Sequence, residues 1–124
     1  MMFGIADIDP NGNDFDDYQN AAQKTALYPT DKAMEYLVLG LCGEAGELAN
    51  KVKKIIRGDY EGKGAIEYEK VRQDLLSEAG DVLWYLSETL RTLDFKLSQC
   101  AENNIEKLQE RKRNNTVKGE GDNR

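Results

Sequence analysis

One four-residue pattern occurs twice in this chain, and it constrains the fold more than any other feature. The pattern E-A-G-E at residues 44–47 returns 34 residues later as E-A-G-D at residues 78–81. Each copy lies in a run whose apolar residues recur every three or four positions, which predicts an amphipathic helix. The two acids of each copy are three positions apart, so they share one side of their helix, beside the apolar stripe.

If these two helices pack antiparallel through their stripes, four carboxylates meet along one seam. Such a group repels itself at neutral pH unless protons or a cation neutralise it. Mg²⁺ and Mn²⁺ prefer oxygen ligands, so a hard divalent cation would resolve the repulsion. One acidic pair alone is more typical of a solvated helix face. Its repetition beside both stripes favours a metal site.

The remaining pattern predicts an all-α fold without strands. Residues that typically begin or end helices predict four helices, from Asp14 to about Leu27, from about Asp31 to Arg57, from Ala65 to Leu93 and from Phe95 to Arg113. We expect an irregular lead-in over residues 1–13, one helical domain over residues 14–113 and a polar, disordered tail over residues 114–124. The second helix is expected to stop at Gly58.

Composition excludes several classes of protein. The formal net charge of −6 and the pI near 4.7 argue against a general nucleic-acid binder. No apolar run approaches the roughly 20 residues that cross a bilayer, and the first ten residues lack the regions of a signal peptide. We therefore expect no membrane partner and a cytoplasmic location.

The sequence has no histidine, which excludes Ser-His and Cys-His catalysis and the Glu-x-x-His ligands of di-iron bundles. Its two cysteines, Cys42 and Cys100, are too few and too far apart for a zinc site. Cys42 borders an apolar stripe, so we expect it to be a buried structural thiol.

These motifs together resemble a known family. The residues GEAGELANKVKK and SEAGDVLWYL are similar to the paired E-x-x-E and E-x-x-D motifs of MazG-like nucleoside triphosphate pyrophosphohydrolases. The likeness also includes FDDYQNAAQKTALYP and NIEKLQER, so it extends from Phe15 to Arg113.

The resemblance implies an antiparallel bundle of about four helices that is completed by oligomerisation, as a homodimer or homotetramer. It implies Mg²⁺-dependent hydrolysis of a nucleoside triphosphate, with Mn²⁺ as a substitute, between the α and β phosphates to give a monophosphate and pyrophosphate. The metal ligands carried over by position are Glu44, Glu47, Glu78 and Asp81.

The catalytic base is less closely defined by the resemblance. Many relatives carry a second Glu directly before the first motif, where this chain has Gly43. Glu44 and Glu47 are the predicted catalytic residues, with Glu44 the proton acceptor by elimination. The alternative is that Glu44 is a metal ligand without a role in proton transfer.

Phosphate groups need cations besides the metal. Lys51 and Lys54 continue the acidic side of the second helix, and the resemblance adds Asn104, Lys107 and Arg111 of the last helix. Arg111 is favoured because a guanidinium can bind phosphate oxygens through two bonds. For each lysine the alternative is a solvated charge or an ion pair with a neighbouring Glu.

A base site should contain aromatic and amide groups near the acids. Tyr18, Gln19 and Tyr85 are the predicted base-binding residues. Trp84 is expected to point away from the acids, into packing or a subunit contact. Gly46 and Gly80 are expected to allow a close helix approach, with a partner subunit as one possibility, since a glycine inside a helix costs about 1 kcal/mol relative to alanine.

A second function, from a different class, also fits the pattern. In this alternative the chain is a non-catalytic helical interaction module whose acids form a structural cation site. A test for triphosphate hydrolysis in the presence of Mg²⁺ separates the two.

Overall fold

The structure is a computed structural model that describes residues 13–115, and these form four helices and no strand. The elements are α1 (Asp14–Gln23), a 3₁₀ turn (Thr30–Lys32), α2 (Ala33–Ile56), α3 (Ala65–Thr92) and α4 (Leu97–Arg113). The all-α fold expected from the sequence is confirmed. The expected lead-in lies almost wholly outside the described residues, as does the expected tail beyond residue 115.

Local chemistry explains where these helices begin and end. The Asn13 side chain accepts a hydrogen bond from the Phe15 backbone N–H at 2.9 Å and so caps α1. Gly58 follows α2 with a φ of +91°, a conformation that ends a helix and that side chains disfavour. α2 therefore stops where the sequence predicts. α1 is shorter than expected, because residues 24–29 form the connection to the 3₁₀ turn.

α2 and α3 form an antiparallel hairpin, and its register is visible from side chains that meet. Tyr85 of α3 lies over Gly40 near the start of α2. Lys51, farther along α2, reaches Glu78, which is earlier in α3. The two acidic motifs are therefore opposite one another at the middle of the hairpin.

α1 packs against α3 and α4 but, among the described residues, not against α2. Its Gln19 side chain is buried and bonded to the backbone of both partners. The amide nitrogen donates to the carbonyls of Ser87 and Phe95 at 3.2 and 3.1 Å, and the amide oxygen accepts from the Leu97 N–H at 3.1 Å. One side chain thus joins three elements.

The apolar stripes are only partly covered by this chain. Ala22, Leu37, Val71 and Leu97 are the buried apolar residues of the described part. By contrast, Val52 and Ile55 of the predicted α2 stripe are 41% and 39% exposed. Cys42 is exposed, so the expectation of a buried thiol is wrong. Cys42 and these apolar residues are exposed because, among residues 13–115, only α3 and the short 3₁₀ turn pack on α2.

Candidate metal and nucleotide site

The hairpin brings three of the predicted acids together. Glu44 of α2 and Glu78 and Asp81 of α3 each offer one carboxylate oxygen, and these three oxygens lie within 4.8 Å of one another. Glu78 and Asp81 share a face because they are three residues apart on one helix. Glu44 joins them because the register places it opposite. We call these three residues the acidic cluster.

The cluster is electrostatically strained in the absence of a cation. The pKa of Glu44 is raised, first by burial and then by the charges of Asp81, Glu78 and Glu47. Three carboxylates from two helices are a donor set of hard oxygen ligands, and a divalent cation among them would relieve both effects. The residues present therefore fit a hard divalent ion.

Glu47, the fourth predicted ligand, is not part of the cluster. It is exposed on α2, one helical turn beyond Glu44. Its charge still reaches Glu44, where it raises the pKa less than Asp81 or Glu78 does. The two motifs are equivalent in sequence. In the fold, however, the first motif contributes one acid to the cluster and the second contributes two.

The two predicted phosphate-binding lysines of α2 lie in different surroundings. The Lys51 ammonium is 3.5 Å from a carboxylate oxygen of Glu78, so it borders the cluster as an ion pair. Lys54 is in the last turn of α2 and lies near Asp59, which follows the helix. The pKa of Asp59 is lowered mainly by the hydrogen bond from Arg57, and the charge of Lys54 adds to that effect. Lys51 is therefore the better placed of the two.

The predicted phosphate contacts on α4 are not brought to the acids of the same chain. Asn104 and Lys107 line a separate cavity of about 580 Å³ between α4 and the end of α3. Arg111 is buried near the end of α4. Among the described residues α4 makes no contact with α2. The physical reason is that α4 turns away at residues 93–96 and packs on α3 and α1.

The predicted base-binding residues have different environments. Tyr85 packs over Gly40, edge-on to Trp84, and burial raises its pKa, with smaller contributions that include Glu44 and Asp81. Burial likewise raises the pKa of Tyr18, followed by the charge of Asp81. Both phenols therefore lie near the acids. The side-chain amide of Gln19 already forms hydrogen bonds with backbone groups, so Gln19 is not part of the proposed base site.

Two features near the site were missed or misplaced by sequence reasoning. Trp84 does pack, donating to Thr25 at 2.8 Å, but it also lines the same cavity as Asp81 rather than pointing away from the acids. Gly40, not Gly46 or Gly80, is where two helices of the chain approach closely. Its position inside an apolar helical run is the signal that could have indicated this.

The fold and cluster define an all-helical protein with a carboxylate site suited to a divalent cation. Residues 32–116 match the family model described as the MazG nucleotide pyrophosphohydrolase domain, and the chain belongs to that family. It is 45% identical over 115 residues to a protein named Gene 37 protein from Mycobacterium phage L5, covering 88% of this chain and 97% of that protein. No solved structure matches the chain significantly. Within residues 13–115, no helix has the length and apolar character needed to cross a membrane.

Proposed function

We propose that this protein is a Mg²⁺-dependent pyrophosphohydrolase that cleaves nucleoside triphosphates between the α and β phosphates. The products are a nucleoside monophosphate and pyrophosphate, and Mn²⁺ can replace Mg²⁺. The observation that carries the proposal is the meeting of Glu44, Glu78 and Asp81 within 4.8 Å. Membership of the family supports the reaction class. The cytoplasmic location expected from the sequence stays a prediction.

The cluster residues, together with Glu47, would hold the cation. A bound Mg²⁺ would neutralise phosphate charge and lower the pKa of the attacking water. Glu47 needs only a change of side-chain rotamer or a small helix shift to approach Glu44, because the two lie one turn apart on the same helix.

Glu44 is the proposed proton acceptor. Its carboxylate lies with those of Glu78 and Asp81, so a water at a cation held by the cluster would be within its reach. As a bond forms between the water oxygen and phosphorus, the water proton passes to Glu44 and the bridging P–O bond breaks. In the alternative role, ligation without proton transfer, Glu44 acts only through the cation, so saturating Mg²⁺ should restore the rate of Glu44→Gln.

Cations of the protein complete the phosphate site. Lys51 borders the cluster and can exchange its Glu78 partner for a phosphate oxygen. Lys54 lies one turn farther along α2 and is the weaker candidate. Contributions from Asn104, Lys107 and Arg111 require a second copy of the chain, as a homodimer or homotetramer. The exposed apolar residues of α2 support such an assembly.

The proposed function is tested with purified protein and a panel of nucleoside triphosphates in the presence of Mg²⁺. Release of monophosphate with pyrophosphate is the expected result. Diphosphate with inorganic phosphate would mean that a different bond is cleaved. Asp81→Asn is the control that excludes a contaminating hydrolase, because it removes a cluster oxygen without altering the size of the side chain.

One observation favours the non-catalytic alternative, in which the acids form a structural cation site. The Lys51 ammonium already neutralises part of the cluster, as expected for acids that serve stability alone. In that case no triphosphate is consumed, while Mg²⁺ still raises the melting temperature.

A further inference from the structure

A second cavity, of about 730 Å³, lies between α1 and the middle of α3. One side includes Tyr18 and Ala22 of α1 and Thr25, which follows α1. The side from α3 includes Gly80 and Trp84, and it ends at Asp81. Its volume falls within the range of about 300 to 1,000 Å³ that small-molecule sites occupy.

Asp81 belongs both to the acidic cluster and to the wall of this cavity. A molecule whose phosphates lie at the cluster therefore has the cavity directly beside it, on the α1 side of α3. Tyr85 lies on the side of α3 that faces α2, where its ring lies against Gly40. The cavity is thus a partly open recess that adjoins the cluster at Asp81, on the side of α3 that faces α1.

The lining of the cavity suits an uncharged, flat group. None of the described lining residues is Lys or Arg, and Asp81 is the one carboxylate among them. Phosphate would be repelled there, whereas a base and sugar would not. The rings of Tyr18 and Trp84 offer surfaces for stacking, and the Ser77 hydroxyl and the Gln73 amide can form hydrogen bonds.

Gly80 lies at the wall of the cavity in the middle of α3. A glycine there costs about 1 kcal/mol relative to alanine. No neighbour explains that cost, since a Cβ built on Gly80 would meet no atom within 4 Å. The missing side chain instead leaves the cavity open beside Asp81.

We propose that this cavity receives the base and sugar of the nucleotide, and that Gly80 sets the size of what it admits. The proposal rests on the proposed function. It moves the base site away from Tyr85 and Gln19 and assigns it to Tyr18, Trp84 and Gly80. Gly80 sets this size because it has no side chain and so leaves space beside Asp81, whose carboxylate lies at the phosphates.

The test compares Gly80→Leu with Gly80→Ala and with Gly46→Leu. Gly46 is the matched control, because it holds the same position in the first motif, also has no atom within 4 Å of a built Cβ, and does not line the cavity. Trp84 is the one tryptophan of the sequence, so its fluorescence reports on the cavity directly. The probes are nucleoside monophosphates with Mg²⁺, together with inorganic pyrophosphate.

We expect monophosphates, but not pyrophosphate, to change the Trp84 emission saturably in the unsubstituted protein. Gly80→Leu should weaken that binding and raise KM for triphosphates by about tenfold or more, with Gly80→Ala intermediate. Gly46→Leu should leave both unchanged. Circular dichroism and molecular mass in solution verify that each variant keeps its fold and assembly.

Two results would overturn the inference. One is full nucleotide binding by a folded Gly80→Leu variant. The other is a changed molecular mass for Gly80→Leu with an unaltered Trp84 response, which would mean that a partner helix approaches Gly80. Failure of the proposed function is distinct, since the unsubstituted protein would then hydrolyse no triphosphate at all.

Discussion

The two copies of the acidic motif have almost the same sequence and very different surroundings. In the first copy, on α2, Glu44 enters the cluster while Glu47 stays outside it. In the second copy, on α3, both Glu78 and Asp81 enter. The middle glycines differ as well, because Gly80 lines a cavity and Gly46 does not.

The register of α2 against α3 decides which acids meet, and the cavity beside Gly80 arises from α1, which packs against α3 and, within the described chain, not against α2. The copy on α3 therefore has a helix on one side and the hairpin partner on the other, and its acids are held at a junction of three elements. The comparison teaches that a repeated motif supplies equivalent ligands only where equivalent neighbours pack around it.

The largest expected effect concerns the acids themselves. Glu47→Gln and Asp81→Asn should each reduce turnover by roughly 100-fold or more, since each removes a proposed ligand for the cation. Without metal, Asp81→Asn should raise the melting temperature more than Glu47→Gln, because Asp81 repels Glu44 more strongly. Assays of pyrophosphate release and thermal denaturation measure both effects. Full activity in either variant would refute its assignment as a ligand.

The next effect concerns a tether, the hydrogen bond that joins Tyr28 to Glu88 of α3; in the part of the chain that the structure describes, α2 has no buried acid that could form the same bond. Glu88 is fully buried, and one of its oxygens accepts hydrogen bonds from the Tyr28 hydroxyl at 2.6 Å and from Arg91 at 2.7 Å. Glu88→Ala should cost about 2 to 3 kcal/mol of unfolding free energy, because it removes the acceptor of the Tyr28 hydroxyl and empties a fully buried site, although Arg91 still donates to Tyr28.

Lys54 is the matched control, since it occupies the position 34 residues earlier on α2. Lys54→Ala should change the unfolding free energy by less than about 0.5 kcal/mol. Urea denaturation measures both variants. Equal losses of unfolding free energy would show that α2 and α3 are stabilised alike at these positions, which would contradict the difference described between the two helices.

A smaller effect concerns the helix glycines. A Cβ at Gly40 would collide with the ring of Tyr85, so Gly40→Ala should destabilise the fold by about 1 to 3 kcal/mol. Gly46→Ala should instead stabilise it by up to about 1 kcal/mol, because the site is open and alanine favours helix. Urea denaturation of the two variants checks the opposite signs, and a gain at Gly40 would contradict the register.

The smallest effect is alkaline loss of stability through the same tether. Burial, and then the hydrogen bond and charge of Glu88, raise the pKa of Tyr28 above its ordinary value of 10.0. The folded state therefore holds this proton more tightly than the unfolded state. The associated stability is complete below pH 10 and is lost as pH rises through the raised folded pKa. The free energy of unfolding, measured below and above pH 10, should fall less steeply with rising pH in Tyr28→Phe than in the unsubstituted protein. An identical slope would exclude Tyr28 as a cause.

Local patterns made much of this protein predictable. The period of the apolar residues predicts α2 and α3, and glycine with a positive φ ends α2 at the expected residue. The spacing of the acids within each motif follows from helix geometry, so the pairing of Glu78 with Asp81 needs no tertiary information. The family resemblance, drawn from the same motifs, is confirmed.

Side chains with more than one available role were not predictable in this way. Gln19 has the chemistry of a base-binding amide, yet it bonds the backbone of α3 and α4. Lys107 has the charge for phosphate binding, yet α4 leaves it in another cavity. Trp84 and Tyr85 are adjacent in sequence and their rings touch, yet Trp84 donates to Thr25 while Tyr85 packs on Gly40 of α2. In each case the deciding partner is far away in the chain.

The sequence by itself determined that the protein is helical and that two helices each carry a pair of acids, because helix formation and side-chain spacing depend on neighbours a few residues away. Only the tertiary structure decided which acids meet, that α1 lies beside the second motif and not the first within the described chain, and that Gly40 rather than Gly46 or Gly80 lies in the close helix contact. The meeting of the acids and the contact at Gly40 depend on the register of α2 against α3, which is set by packing such as that of the Tyr85 ring on the backbone of Gly40, 45 positions earlier in the chain.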